Sequence, residues 1–130
     1  MVAQLRDVMT TQVLTTSAER PVAEVTGMMV KARVGSAMVL HGPWLAGILT
    51  ERDVLRAAAS HSDLTKSPVS EWMTKNPITA TPDTTTEEAA DVMLANGFRH
   101  LPVLEGRELK GVVSIRDVLA SGIRRRSKAD

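Results

Sequence analysis

A hydroxyl residue followed three positions later by an aspartate occurs twice in this chain, as Thr50 with Asp53 and as Ser114 with Asp117. We call these pairs corner one and corner two. At a helix start, such a hydroxyl caps the helix and an acidic residue three positions on bonds back to the cap. The same helix start can hold a phosphate, and the aspartate can accept a ribose diol. The motif alone leaves both interpretations open.

Arg52 and Arg116 come directly before the two aspartates. They are either solvent-facing or suited to contact a phosphate through the planar guanidinium. Catalysis requires a nucleophile with a base, a metal, or two differently tuned carboxylates. The chain has three scattered histidines, no cysteine and no Gly-x-x-x-x-Gly-Lys-Ser/Thr loop. The sequence therefore predicts a binding module and not an enzyme, with no catalytic residue, no metal site and no cofactor.

The corners are part of a gap-free internal repeat. Met9-Thr10 reappears 64 residues later as Met73-Thr74, and the segment from Arg52 to Leu55 reappears at 116–119. This offset exceeds the usual solenoid period of about 20–50 residues. It indicates one supersecondary unit that has been duplicated, and two such units can bury faces that neither could bury alone.

Each copy predicts the order β-α-β-β-α. Apolar residues three and four apart after Pro21 give one helical face, and Thr84 to Thr86 before two glutamates predict a capped helix start in copy two. Short apolar runs around a glycine-bearing turn predict a hairpin in each copy. The predicted extended and helical segments of the two copies are 13–15, 37–40, 45–49 and 51–59, then 78–79, 101–104, 109–113 and 115–123.

The sequence places the first repeat at residues 1–62, a polar linker at 63–68, the second repeat at 69–123 and a basic tail at 124–130. Four of the sixteen basic residues lie in the last seven positions. Such a tail either stays solvated or contacts nucleic acid, a membrane or a ligand phosphate.

Composition narrows the classes of function. Without cysteine there are no disulfides and no thiolate metal sites. Aromatic residues make up only 2% of the chain, which argues against stacking on single-stranded nucleic acid. No apolar run approaches the roughly 18 residues of a membrane helix, and the first 20 residues lack a signal-peptide core. We therefore expect a cytoplasmic protein that does not enter a membrane.

The chain resembles a pair of cystathionine-β-synthase (CBS) domains over about residues 5–122. The resemblance rests on the lead-in ending Met-Thr, on Pro77-Ile78-Thr79, on the strand Arg99-His100-Leu101-Pro102-Val103 and on the repeated Gly-x-x-Thr/Ser-x-Arg-Asp. It implies an α+β fold of two β-α-β-β-α repeats, packed sheet to sheet with pseudo-two-fold symmetry. It also implies two clefts for adenosine-containing ligands and a homodimer.

The resemblance implies that each cleft mixes the copies, with the aspartate on the ribose and the hydroxyl on a phosphate. One site combines Thr50, Asp53, Ile78, Thr79, His100, Leu101 and Pro102. The other combines Ser114, Asp117, Leu14, Thr15, Ser36, Ala37 and Met38. Copy one departs from the family pattern, because Met38 stands where copy two has Pro102, and Ser36 where it has His100.

Two functions stay open from the sequence. The first is a sensor that binds AMP, ADP, ATP or S-adenosylmethionine and signals to an unidentified protein partner. The alternative is a ligand-free dimerising scaffold whose basic tail contacts nucleic acid or an acidic partner. Nucleic acid is not the expected partner of the sensor.

Overall fold

The computed structural model describes the backbone of residues 2–129 and the side chains of residues 2–122. The chain divides into two compact units. The central unit is Val13–Pro77, and the terminal unit is built from Met1–Gln12 together with Ile78–Asp130. The basic side chains predicted to form the tail lie outside the described residues.

The elements follow one another in an α+β order, which confirms the predicted class. They are α1 (Leu5–Val8), β1 (Thr15–Ser17), α2 (Val22–Ala32), β2 (Ser36–His41), β3 (Trp44–Thr50), α3 (Glu51–Ala59), a 3₁₀ turn (Val69–Glu71), β4 (Thr74–Lys75), α4 (Thr86–Asn96), β5 (His100–Glu105), β6 (Glu108–Ser114) and α5 (Ile115–Ala129).

The predicted hairpins and helices are present, with three corrections. The extended segment predicted at 78–79 forms no strand, because pairing with β5 is limited to an isolated bridge between Ala80 and Val103. The extended segment predicted at 13–15 forms its strand slightly later, at Thr15–Ser17, because pairing with β2 begins at Thr15. Helix α5 continues beyond Ile123, where the sequence predicts its end, to Ala129. No glycine or proline follows Ile123 to stop it.

The central unit contains a four-stranded sheet in the order β1-β2-β3-β4. Strand β1 runs parallel to β2, and the other pairs are antiparallel. Helix α2 buries Val22, Val25 and Met29 against the core that includes Ala37, Val39 and Leu49. The residue spacing also predicts Ala32 on this apolar face, but Ala32 is exposed at the last position of the helix. A single aliphatic core therefore holds this unit together.

The terminal unit repeats this design with fewer residues in regular strands. Strands β5 and β6 form an antiparallel hairpin, and isolated bridges join Thr10 to Val112 and Ala80 to Val103. Its core consists of Leu5, Ala89, Met93, Leu101, Val103 and Val113.

The lead-in segments, residues 5–9 of the first sequence copy and 69–73 of the second, each belong to the unit formed mainly by the other copy. Leu5 is fully buried in the core of the terminal unit, and Val69 is fully buried in the core of the central unit. The predicted linker at 63–68 packs on the central unit: Leu64 contacts its core, and the backbone carbonyls of Leu64 and Ser67 accept bonds from the start of α2. The compact units are therefore offset from the sequence repeats.

A turn within this segment is fixed by Asp63. The hydroxyl and the backbone N–H of Thr65 both donate to its Oδ1, at 2.6 and 3.0 Å. Hydrogen bonds to the ionised form stabilise it, so these bonds lower the pKa of Asp63 below its ordinary value.

The glycine that opens each repeated motif admits the lead-in segment. A Cβ atom on Gly47 would lie 2.8 Å from the carbonyl oxygen of Thr74 and 2.8 Å from Met73 Sδ. On Gly111 it would lie 2.6 Å from the Thr10 carbonyl oxygen. These glycines are required for close backbone approach, which is a packing role and not a ligand role.

We expect Gly47→Ala and Gly111→Ala each to lower the free energy of unfolding by about 1–3 kcal/mol, because the added methyl overlaps a backbone oxygen. Gly27 is the matched control. A Cβ there meets nothing within 4 Å in the helix interior, so Gly27→Ala should stabilise by about 0.5–1 kcal/mol. Urea denaturation measures the free energy of unfolding of all three variants. A loss at Gly27 equal to the loss at Gly47 would contradict the packing explanation.

Helices α2 and α4 end differently at equivalent positions. The residue that follows each helix adopts the left-handed conformation, Gly97 with φ 71° after α4 and Arg33 with φ 58° after α2. This conformation costs a residue with a Cβ about 1–2 kcal/mol more than glycine. Arg33 is therefore a strained helix end that copy two avoids.

We expect Arg33→Gly to raise the free energy of unfolding by about 0.5–1 kcal/mol, the relief of left-handed strain less the entropy cost of glycine. Gly97→Ala should lower it by about 1 kcal/mol for the same reason. Thermal and urea unfolding of both variants measures the two changes in the free energy of unfolding. Changes of the same sign would refute the explanation by left-handed strain.

Candidate functional site

Corner one lies where β3 ends and α3 begins. Thr50 has an extended backbone, and its Oγ1 accepts a bond from the Asp53 N–H at 3.4 Å. Asp53 Oδ2 accepts bonds from the Thr50 N–H at 2.9 Å and from the Thr50 hydroxyl at 3.0 Å. A reciprocal capping box therefore forms, as the first interpretation of the motif predicts.

Corner two repeats this box between β6 and α5. The Ser114 N–H donates to Asp117 Oδ2 at 2.9 Å, and the Asp117 N–H donates to Ser114 Oγ at 3.1 Å. Asp117 is partly exposed, whereas Asp53 is buried. The duplicated motif is thus a duplicated geometry with different solvent access.

The capping boxes and the strands already use several N–H groups at the helix starts. The first N–H of α3, on Glu51, donates to the Gly35 carbonyl at 3.0 Å, and that of α5, on Ile115, donates to the Arg99 carbonyl at 2.9 Å. The third N–H of each helix donates to the capping hydroxyl. Fewer N–H groups therefore remain for a phosphate than the sequence-based interpretation assumes.

Each box uses only one oxygen of its aspartate, Oδ2. A carboxylate held on one side by backbone and hydroxyl donors presents its other oxygen, Oδ1, in a fixed orientation as an acceptor. Such an oxygen is suited to the paired hydroxyls of a sugar. This is the chemical capacity that the two corners share.

The strand residues predicted to bind ligand lie beside the corner of their own unit. In the central unit Thr15 pairs with Met38, the Met38 N–H donates to the Leu14 carbonyl at 2.8 Å, and Ser36 pairs with Thr50. Ala37 lies between them and is fully buried.

The terminal unit has the matching arrangement. His100 pairs with Ser114, and Leu101 and Pro102 follow on the same strand. The Ala80 N–H donates to the Pro102 carbonyl at 2.9 Å, which places the preceding residues, Ile78 and Thr79, near the end of this hairpin. Ile78 and Thr79 are exposed. The assignment of strand residues to the aspartate of the other copy stays a prediction.

Arg52 and Arg116 are both exposed on the first turns of their helices, which fits either of their sequence-based interpretations. Arg56 was not predicted as a site residue from the sequence. Its Nη1 lies 3.3 Å from Asp53 Oδ1, and its guanidinium carbon lies 5.9 Å from the centre of the Trp72 ring. The spacing of three residues from Asp53 on one helix is the signal that could have identified it.

Among the described residues, no group of three or more histidine, aspartate or glutamate side chains is placed to hold a metal ion. Over the same residues, no helix has the length and apolar character needed to cross a membrane.

Comparisons with known proteins agree with the duplicated fold. The family model described as "CBS domain" matches the chain twice, over residues 5–60 and 69–123. The CBS domain-containing protein YhcV of Bacillus subtilis is 33% identical over 117 residues, covering 89% of this chain and 83% of that protein.

Two solved structures share the fold. The hexameric CBS-CP12 protein from bloom-forming cyanobacteria is 30% identical with a TM-score of 0.85, covering 92% of this chain and 67% of that one. The CBS domain pair of protein MJ0100, solved in complex with 5′-methylthioadenosine and S-adenosyl-L-methionine, has a TM-score of 0.88 at 22% identity. It covers 96% of this chain and 99% of that one.

Proposed function

Because the chain belongs to the CBS domain family, we propose that it is a non-catalytic regulatory module that binds adenosine-containing ligands at its two corners. The candidate ligands are AMP, ADP, ATP and S-adenosylmethionine. The observation that carries the proposal is that both copies hold an aspartate in the same capping box with Oδ1 outside the box.

The roles of the corner residues follow from their chemistry. The aspartate accepts hydrogen bonds from the ribose hydroxyls through Oδ1, while Oδ2 keeps the carboxylate oriented through the capping box. Arg52 and Arg116, exposed at the same helix starts, supply cations to a phosphate. Protein MJ0100 binds two adenosine compounds on a similar fold, which supports the choice of this ligand class.

The proposal includes the strand residues that the family resemblance assigns to the adenine. They are His100, Leu101 and Pro102 in the terminal unit, and Ser36, Ala37 and Met38 in the central unit. The two sets differ in polarity and shape, so we expect the corners to differ in ligand preference.

A ligand that binds only the folded chain should stabilise it by about 2.7 kcal/mol at one hundred times its dissociation constant. Thermal unfolding with AMP, ADP, ATP and S-adenosylmethionine, each at millimolar concentration, checks this. An unchanged melting temperature with all four ligands would defeat the proposal.

Asp53→Asn and Asp117→Asn test the corner chemistry. An asparagine keeps a carbonyl oxygen for the capping box but replaces the second acceptor with an NH₂ donor. Losing a charged hydrogen bond of about 1.5–3 kcal/mol should weaken binding at the altered corner about 10- to 100-fold. Calorimetric titration measures the affinity and stoichiometry of binding at each corner. Asp91→Asn, at an exposed position, is the control. Full affinity and stoichiometry in the double variant would reject the diol assignment.

We further propose that the module associates with a second copy of itself through its helices. Two pairs of apolar residues at equivalent repeat positions are strongly exposed: Val30 and Leu94 at 73% each, and Leu55 and Leu119 at 71% and 61%. Single exposed apolar residues are common on protein surfaces, so it is their recurrence at equivalent positions of both copies that supports an interaction role. A related protein, CBS-CP12, is hexameric.

Leu55→Lys and Leu119→Lys should convert the assembly to monomers, since a charge at a buried contact is costly. Analytical ultracentrifugation measures the mass of each variant, and Val2→Lys, at another exposed apolar position, is the control. A wild-type monomer at all concentrations would contradict self-association.

A further inference from the structure

We propose that Arg56 makes corner one the weaker of the two sites for a ribose diol, because it occupies the carboxylate oxygen that the ligand requires. This inference rests on the proposed function of the corners. It adds a residue, Arg56, that makes their affinities for a ribose diol unequal.

Arg56 lies beside Asp53 in corner one. Its Nη1 lies 3.3 Å from Asp53 Oδ1, the oxygen that the capping box does not use. The Asp53 side chain is only 7% exposed, so few other donors can reach that oxygen. With Oδ2 held by Thr50, both oxygens of this aspartate have partners before any ligand arrives.

Trp72 helps to hold the Arg56 guanidinium in this position. The guanidinium carbon of Arg56 lies 5.9 Å from the centre of the indole ring, within the range of a cation–π attraction. A long side chain that is 63% exposed otherwise samples many rotamers. Contact with the ring favours rotamers that keep the guanidinium beside Asp53.

Corner two lacks this competitor. The residue equivalent to Arg56 is Ala120, and the residue equivalent to Trp72 is Val8. Among the side chains that the structure describes, none donates a hydrogen bond to Asp117 Oδ1, whereas Oδ2 carries the same box bond as in corner one. The two corners thus differ in the acceptor that faces a ligand.

A diol must displace the guanidinium at corner one, whereas at corner two no described side chain would have to leave Asp117 Oδ1. Arg56 is exposed although its partner Asp53 is buried, so we take the cost of displacing it from the range of solvent-screened ion pairs, about two- to fivefold in affinity. This loss of affinity should affect ligands whose two ribose hydroxyls both bind Asp53, and it should be smaller for ligands that lack one of these hydroxyls.

Calorimetric titration with AMP and with 2′-deoxy-AMP tests the proposal. Each corner is isolated by altering the other with Asp117→Asn or Asp53→Asn. Arg56→Gln should strengthen AMP binding at corner one about two- to fivefold. Ala120→Arg should weaken it at corner two by a smaller factor, because Val8 replaces the tryptophan there. Binding of 2′-deoxy-AMP should change less in both variants.

Arg20→Gln is the matched control. It removes an arginine of the same unit that pairs with Glu24 at 2.9 Å on a different helix, and it should leave both affinities unchanged. Unchanged or weaker AMP binding in Arg56→Gln overturns the inference while the proposed function stands. No binding of AMP to either corner of the wild-type chain overturns the inference together with its premise.

Discussion

The reciprocal bond between a capping hydroxyl and an aspartate three residues later is the interaction on which both structure and proposed function depend. It starts α3 and α5 directly at the ends of β3 and β6. It also fixes one carboxylate oxygen and thereby orients the other. Capping and the proposed ligand binding, which the sequence presents as alternatives, are therefore compatible, because the capping box uses Oδ2 and the proposal uses Oδ1 of the same side chain.

A close backbone contact lies on each strand that leads into a capping box. Gly47 and Gly111 lie three residues before the hydroxyls, and each lets the lead-in segment approach its strand. The lead-in of each sequence copy belongs to the unit that the other copy mainly forms. The chain passes between the two units near residues 12 and 77, so neither unit corresponds to a continuous sequence repeat.

The sequence predicted the elements well because their signals are local. The apolar spacing of α2, the turn of each hairpin and the box at α4 depend on residues within one helical turn or one hairpin. The offset between repeats and units was not predictable in this way, because apolar periodicity shows that Leu5 is buried but not which core receives it. Arg56 was missed because its role arises from two contacts, one local and one with Trp72, which is distant in sequence.

The differences between the copies are as informative as their identity. Where copy two has Gly97, Ala120 and Pro102, copy one has Arg33, Arg56 and Met38. The first exchange strains a helix end and the second adds a cation to the carboxylate, while the capping box is the same in both corners. A duplicated site with an unchanged acceptor and altered surroundings can bind two related ligands with different affinities. Such a pair responds over a wider range of concentration than two equal sites, which is a useful property in a regulatory module.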